Sequence, residues 1–317
     1  ISDQCLVIKH EGEIIKEVAL SRLRCISVLK SGVSMSSDLV QACAIRGIKI
    51  FFCDWRGRVT SAVIGQNQHA TVAVRKAQFK SIDSESCCFN IARSIILTKI
   101  RNQRAVLMYF SKYQSKVSLS SYTDLLLAVK KIDDLIVQLK NLNVQENWRN
   151  LVLGIEGACA RFYLNALRQA SLLPADFKNR EGRGATTITN QALNWSYAIL
   201  ESYVWSALEN AGLEVFAGFF HSDRPGKPSL VLDVMEEYRA WVVDRNIVKF
   251  RDRLVNSTEL NSKLKVMLTD AVHDTMHTAY SYHRKKVKLE NILQRQVYRL
   301  SGVILENKTY KGYVFKW

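Results

Sequence analysis

Over its first 65 residues the chain alternates apolar and polar positions in short runs; beyond about residue 70, apolar residues return every three or four positions. CLVIKHE and EIIKEVA flank Gly12, a hairpin signal, and LRCISVL, IKIFFCD and RVTSAVI read as further strands. The last two are joined across Trp55-Arg56-Gly57. One short helix fits SSDLVQACAIRG, with Ser37 as its cap and Gly47 at its end. RKAQFK, CCFNIARSIILTKIRNQRAVLMYFSKY and YTDLLLAVKKIDDLIVQLKNL carry the helical period, which persists to about residue 300. Pro174, Pro225 and Pro228 all fall in apparent loops, as long helices require. The pattern predicts an α+β chain: a small N-terminal β domain over 1–70, a linker over 71–90 and a larger all-α domain over 91–317.

With 48% hydrophobic and 23% charged residues, a 317-residue chain can bury a sizeable core. It has no run of 18 apolar residues and no signal-peptide pattern, so the expectation is a cytoplasmic protein without a membrane span. Seven cysteines without a C-x-x-C spacing fit reduced thiols. Charge changes the picture more. Forty-five Lys and Arg against 29 Asp and Glu give +16, a field that draws polyanions, with nucleic acid ahead of membrane surface.

Against that excess, HSDRPGKPSLVLDVMEEYR (221–239) sets a histidine and a Pro/Gly loop before a run that carries three carboxylates. Pro228-Ser229 starts a helix with the serine hydroxyl as cap. Asp233, Glu236 and Glu237 then share one face as a carboxylate ridge, while Leu230, Val231, Val234, Tyr238 and Trp241 line another. Taken alone, a solvated acidic face is the plainer reading. LVLGIEGACARFYLNAL (151–167) is apolar almost all round and so should be buried, with Glu156 inside it. Val152, Leu153, Cys159 and Ala160, three and four positions away, offer it no cation. A buried carboxylate needs compensation from elsewhere: a distant Arg or Lys, or a divalent cation shared with His221 and Glu236. One imidazole with carboxylate oxygens suits Mg²⁺ or Mn²⁺ better than structural zinc. His273 and His277 have the spacing of zinc ligands but no H-E-x-x-H glutamate, which favours a structural role. From Ser281 to Trp317, nine Lys and Arg interleave with aromatics including Tyr298, Tyr310, Tyr313, Phe315 and Trp317, which either stack on bases or dock a final segment on the core.

GIEGACARFY and HSDRPGKPSLVLDVMEEYR, in that order, resemble the Gly-x-Glu-Gly and His-loop-Asp-x-x-Glu segments of CRISPR-associated protein one, the CRISPR adaptation integrase and endonuclease. KIFFCDWRG, VRKAQF, TKIRNQRAVL and NQALNWSYAIL are weaker matches to the same family. The resemblance implies an N-terminal β-sandwich domain before the helical one, and a homodimer that binds CRISPR-associated protein two. It also implies an enzyme that joins donor double-stranded DNA to the CRISPR repeat. Residue by residue, it implies Glu156, His221 and Glu236 as ligands of Mg²⁺ or Mn²⁺, with Asp233 a supporting acid of the catalytic set. One departure stands out: GRGATTITN (182–190) occupies the place of a Pro-Pro-Asp stretch, so the family's DNA contacts there do not transfer. Arg180, Arg183, Arg224 and Lys227 are this chain's own candidate DNA contacts. The sequence starts at Ile1 rather than Met; trimming, or an upstream reverse transcriptase of the kind fused to some family members, would each fit.

The reaction so implied is a metal-assisted transesterification by a DNA 3′-hydroxyl, with hydrolysis of branched DNA as its counterpart. Two rivals stay open from the residues: a metal-dependent repair nuclease with the same site, and a non-catalytic DNA-binding scaffold.

Overall fold

The computed structural model describes residues 4–23, 25–54, 59–65, 71–182, 184–257, 259–306 and 308–316. Its N-terminal part forms the expected strands. β1 (Cys5–His10) and β2 (Glu13–Ala19) pair antiparallel from Cys5↔Ala19 to His10↔Glu13, with Gly12 at φ 89° in the turn. β3 (Cys25–Val28) runs parallel to β4 (Lys49–Cys53) after a crossover through α1 (Ser37–Ile45), and β5 (Val59–Val63) adds antiparallel to β4. The cap of α1 is Ser36 rather than Ser37, its hydroxyl accepting from Leu39 N at 3.3 Å. The turn expected at Trp55-Arg56-Gly57 lies outside the described residues. Leu20, Val28, Leu39, Cys43, Ile48 and Ile50 form a small core of their own.

Residues 71–90, read from sequence as a linker, are almost wholly helical. They make up α2 (Thr71–Asp83) and the first turns of α3 (Glu85–Val117). Gln78 explains why this segment is fixed: fully buried, its side chain donates to Glu214 O and Ala217 O and accepts from Glu214 N. The rest is helical, through α4 (Leu119–Asn141), α5 (Trp148–Gln169), α6 (Ile188–Asn210), α7 (Ser229–Arg239), α8 (Arg245–Lys249), α9 (Arg251–Val255), α10 (Ser262–His277) and α11 (Leu289–Glu306). The 33-residue α3 is the axis, packing against α4, α5 and α7 along its length. No helix among the described residues is long and apolar enough to cross a membrane.

The helical period was expected to run unbroken to about residue 300, but a hairpin interrupts it. β6 (Ala279–Tyr282) and β7 (Lys285–Lys288) pair antiparallel from Ala279↔Lys288 to Tyr282↔Lys285. The local signal was alternation: Tyr280, Tyr282 and Val287 turn inward and Ser281, Lys286 and Lys288 outward. The chain's end then docks on the core. Tyr310, Tyr313 and Phe315 are buried, and Phe315 stacks on Trp241 at 4.9 Å. Asn102 of α3 clamps this segment to α7, donating to Glu237 O at 2.7 Å and Tyr313 O at 2.9 Å while accepting from Phe315 N at 3.0 Å.

Glu237 lies under that strap, fully buried. Tyr310 and Tyr313 approach it, but neither of its oxygens has a hydrogen bond of good geometry. Burial pushes its carboxyl up to about 8, against the pull of Tyr310 and Tyr313. The folded form therefore keeps a proton that the unfolded chain releases near 4.5, so stability falls as pH rises from 4.5 to about 8. Each pH unit in that window costs about 1.4 kcal/mol per proton. Glu237→Gln is expected to flatten the decline in denaturation midpoint between pH 5 and 8; midpoints that fall in parallel with wild type would contradict this.

Candidate active site

The acidic helix does not present a solvated ridge. Asp233, Glu236 and Glu237 are all buried, and each faces a different neighbour. Successive positions on a helix differ by about 100°, so acids at 233, 236 and 237 fan out once the helix is packed on all sides. Glu237 takes the C-terminal segment, Asp233 the preceding loop and Glu236 the junction with α3 and α5.

Asp233 organises the histidine. Its Oδ2 accepts from Phe219 N at 2.6 Å and Phe220 N at 2.9 Å, and its Oδ1 from His221 N at 2.9 Å. The His221 ring meets the same Oδ1 through Nδ1 at 2.7 Å. With Nδ1–H donating to a carboxylate, Nε2 is the ring nitrogen left for a ligand, the usual arrangement behind a metal-bound imidazole. Gly218 makes this possible, since a Cβ there would meet Asp233 Oδ2 at 2.8 Å and the Ser229 backbone carbon at 2.9 Å. Ser229 does not cap α7 as expected. Its hydroxyl donates to Ser222 O at 3.1 Å and ties the loop to the helix start instead.

Glu156 is not enclosed by apolar residues as its helix suggested. Leu151 and Leu153 on α5 are exposed, and the Glu156 side chain keeps 20% of its surface in contact with solvent. Its missing partner comes from α3. Lys99 places its ammonium 2.5 Å from Glu156 Oε1 and 2.6 Å from Glu236 Oε2. Arg239, one turn along α7, reaches Glu236 Oε1 at 2.5 Å. Burial alone would push Glu236 up, but Arg239 and Lys99 outweigh it and hold the carboxyl at about 2. Burial likewise disfavours the charge on Lys99, and Glu236 and Glu156 overcome that, raising its pKa. Lys99 is the residue that sequence reasoning missed. It sits in TKIRNQRAVL, and only the packing of α3 between α5 and α7 reveals its role.

The structure thus joins Glu156 and Glu236 through one cationic centre and holds His221 on Asp233, near enough for its charge to act on Glu236. No three His, Cys, Asp or Glu side chains converge as a ready metal cage among the described residues. The donor set nonetheless fits a cation. Two carboxylates from separate helices already converge on one positive charge, and Glu236 is buried where they meet.

A cavity of about 290 Å³ opens from this cluster. On its walls Tyr163 and Tyr197 donate to Asp244 at 3.1 and 2.5 Å, and burial raises that carboxyl despite both bonds. Asp244 ends a π-helical turn, Ala240–Asp244, that follows directly on α7. Arg180 stacks over Tyr197 at 5.2 Å at the cavity wall, bonded to Asn190 and Asn194. Arg224 is exposed in the loop after His221, whose turn closes through Lys227 N to Arg224 O at 3.0 Å. Arg183 lies outside the described residues. His273 bonds the Tyr203 hydroxyl at 2.6 Å and His277 faces Glu290 at 3.6 Å, structural contacts remote from the cluster.

Asp233→Ala removes the shared acceptor of three backbone N–H groups and one ring N–H. It is expected to destabilise the fold by about 3 kcal/mol or more, since each orphaned buried donor costs about 1–3 kcal/mol. His221→Ala, which orphans none of those N–H groups, should cost much less in chemical denaturation. Equal losses would show that Asp233 does not organise the loop.

The family model for CRISPR associated protein Cas1 matches residues 1–282. The chain is 46% identical over 312 residues to a protein named CRISPR-associated endonuclease Cas1 1 from Francisella tularensis subsp. novicida, covering 98% of this chain and 94% of that one. Its fold is shared with a casposase bound to integration product (TM-score 0.78, 19% identity, 96% of this chain and 86% of that chain). It is also shared with a chain of a Cas6-RT-Cas1–Cas2 complex (TM-score 0.76, 18% identity), where it covers 99% of this chain and 34% of that one. The β domain, the helical domain and the Glu156/His221/Glu236 segments thus belong to a chain of the CRISPR associated protein Cas1 family.

Proposed function

We propose that this protein is a divalent-metal-dependent DNA integrase and endonuclease of CRISPR adaptation. It would join donor 3′-hydroxyls to repeat DNA and cut branched DNA at the same site. The observation that carries the reading is the convergence of Glu156 and the buried Glu236 on one cationic position. These two carboxylates and His221 Nε2 would hold Mg²⁺ or Mn²⁺, hard cations that suit oxygen donors with one imidazole. Such an ion acidifies a hydroxyl and neutralises charge on phosphate oxygens.

The chain's own residues do the rest. Asp233 fixes the His221 ring and its tautomer. Glu156, Glu236, Lys99 and Arg239 cancel in charge, so the cluster accepts a divalent cation most readily together with an anionic phosphodiester, and binding of the two should be mutually reinforcing. In the joining step the donor 3′-hydroxyl gives up its proton as its oxygen bonds to phosphorus, the bond to the displaced 3′-oxygen breaks, and that oxygen takes up a proton. Arg224, Lys227 and Arg180 lie in the segments leading to the site, where cations would hold non-bridging oxygens. Joining both ends of one donor needs two such sites, and hence a homodimer. The Cas2 and reverse transcriptase named in one structural relative point to the same partners here. The buried, cation-spanning carboxylate pair disfavours a mere DNA-binding scaffold; a nuclease confined to repair would cut but not join.

The test is a strand-transfer assay with purified protein, Cas2, donor and repeat DNA, with and without Mg²⁺ or Mn²⁺. Glu156→Ala, His221→Ala and Glu236→Ala are each expected to lose joining by at least 100-fold, a scale typical for groups acting directly in catalysis, while DNA affinity measured without metal holds. Near-wild-type joining by any of the three would remove that residue from the site, and cleavage without joined product would favour the repair nuclease.

Lys99→Met probes the cation position independently of catalysis. It leaves two carboxylates facing each other, and breaking a buried pair in this way costs about 3–5 kcal/mol. The variant should melt several degrees below wild type in chelator and recover most of that loss in millimolar Mg²⁺ or Mn²⁺. A loss untouched by metal would mean the carboxylates do not form a cation site.

A further inference from the structure

The β6–β7 hairpin has no part in the carboxylate cluster. It lies on the side of α7 that Glu237 and Trp241 face, with the Tyr280 hydroxyl accepting from Trp241 Nε1 at 3.2 Å. Its inner side is locked. Tyr280 packs edge-on to Phe315, Tyr282 packs beside Tyr313, and Tyr313 donates to Ser281 O at 3.0 Å. Its outer side and tip carry His283, Arg284, Lys285, Lys286 and Lys288, all exposed, and residues 279–289 contain no acid. None of these five is in an ion pair among the described residues. Glu290, the first acid beyond them, is turned toward His277.

Electrostatic self-repulsion opposes such a cluster, so a hairpin of this composition is disfavoured unless an anion relieves it. The turn adds to the cost. His283 and Arg284 both have positive φ, 46° and 65°, the two-residue turn that Asn-Gly or Gly-Gly fills most easily. Basic side chains stand there instead, at the most projecting point of the element. The neighbouring surface continues in the same chemistry: Arg295 lies over the Tyr282 ring at 5.8 Å, and Arg295, Tyr298 and Arg299 are exposed on α11. A rigid strand pair with unpaired cations at alternate positions, about 7 Å apart, and exposed aromatic and guanidinium planes beside it suits a phosphodiester backbone. The tip has no apolar side chain to enter a bilayer.

We propose that the β6–β7 hairpin, through Arg284, Lys285, Lys286 and Lys288 with Arg295 of α11, is a second DNA-binding site of this chain, gripping the phosphate backbone of double-stranded DNA away from the carboxylate cluster. It would bind without reading sequence, anchoring the duplex while a distant phosphodiester occupies the reactive site. The proposal rests on DNA being the substrate, but it is tested by binding alone. The family match ends at residue 282, so most of this basic surface lies beyond it.

The experiment is a fluorescence-anisotropy titration of an arbitrary-sequence DNA duplex from 50 to 200 mM salt, using the full chain and the variant R284Q/K285Q/K286Q/K288Q. Each phosphate contact contributes a slope of roughly 0.9 in log affinity against log salt. Loss of three contacts would therefore shrink the affinity ratio between 50 and 200 mM by about 40-fold. The variant should show that shallower slope, while R284K/K285R/K286R/K288R keeps the wild-type slope and so excludes a folding effect. Glu236→Ala, outside the hairpin, should keep the wild-type slope and lose joining. An unchanged slope, or a uniform weakening with the slope intact, would overturn the hairpin as a phosphate site whether or not the protein joins DNA.

Discussion

Two carboxylates on different helices converge on a single ammonium, and the architecture around them serves that meeting. Glu156 on α5 and Glu236 on α7 could not remain charged side by side in a largely buried junction without Lys99 between them. To deliver that ammonium, α3 must run between the two helices, and its length and contacts are those of a central axis. Arg239 completes a charge-balanced set, which lets the junction pack tightly.

The two neighbours of Glu236 on α7 show how one short helix holds such a site steady. Asp233 gathers three successive backbone N–H groups and the His221 ring, so loop and histidine move with the helix. Glu237 on the far side is covered by the C-terminal strap that Asn102 clamps to the helix backbone. The helix is thus braced front and back, and the π turn after it ends at Asp244, on the wall of the cavity beside the site. A reactive group held on a packed helix between two hydrogen-bonded anchors is pre-organised in a way that a loop-borne group is not.

Much of this was legible in the sequence, and the parts that were not share a cause. The strands around Gly12 and the long helices follow from local periodicity, which needs no knowledge of tertiary contacts. The two acidic segments were found because carboxylates are conspicuous in a chain of charge +16 and in an apolar helix. Their environments were misjudged because helical phase tells which residues share a face and not what packs on that face. Asp233, Glu236 and Glu237 looked like one ridge and proved to be three separate contacts. Lys99 was invisible for the same reason, its partners lying 57 and 137 positions away in the chain. The β6–β7 hairpin was missed because four-residue strands between two strong helices give little periodic signal, and its His-Arg turn lacks the usual Asn-Gly mark. Residues 71–90 were read as a linker because α2 is weakly amphipathic, although a buried Gln78 ties it to the body of the protein.

The most direct test of the proposed cation site is a Mn²⁺ titration followed by electron paramagnetic resonance, which reads free ion without any DNA or turnover. Wild-type protein should remove one equivalent of Mn²⁺ from solution, Lys99→Met should do so at lower ion concentration, and Glu236→Gln should lose that equivalent. If all three proteins titrate alike, Glu156 and Glu236 do not hold the ion, and the pair is no more than a structural salt bridge to Lys99.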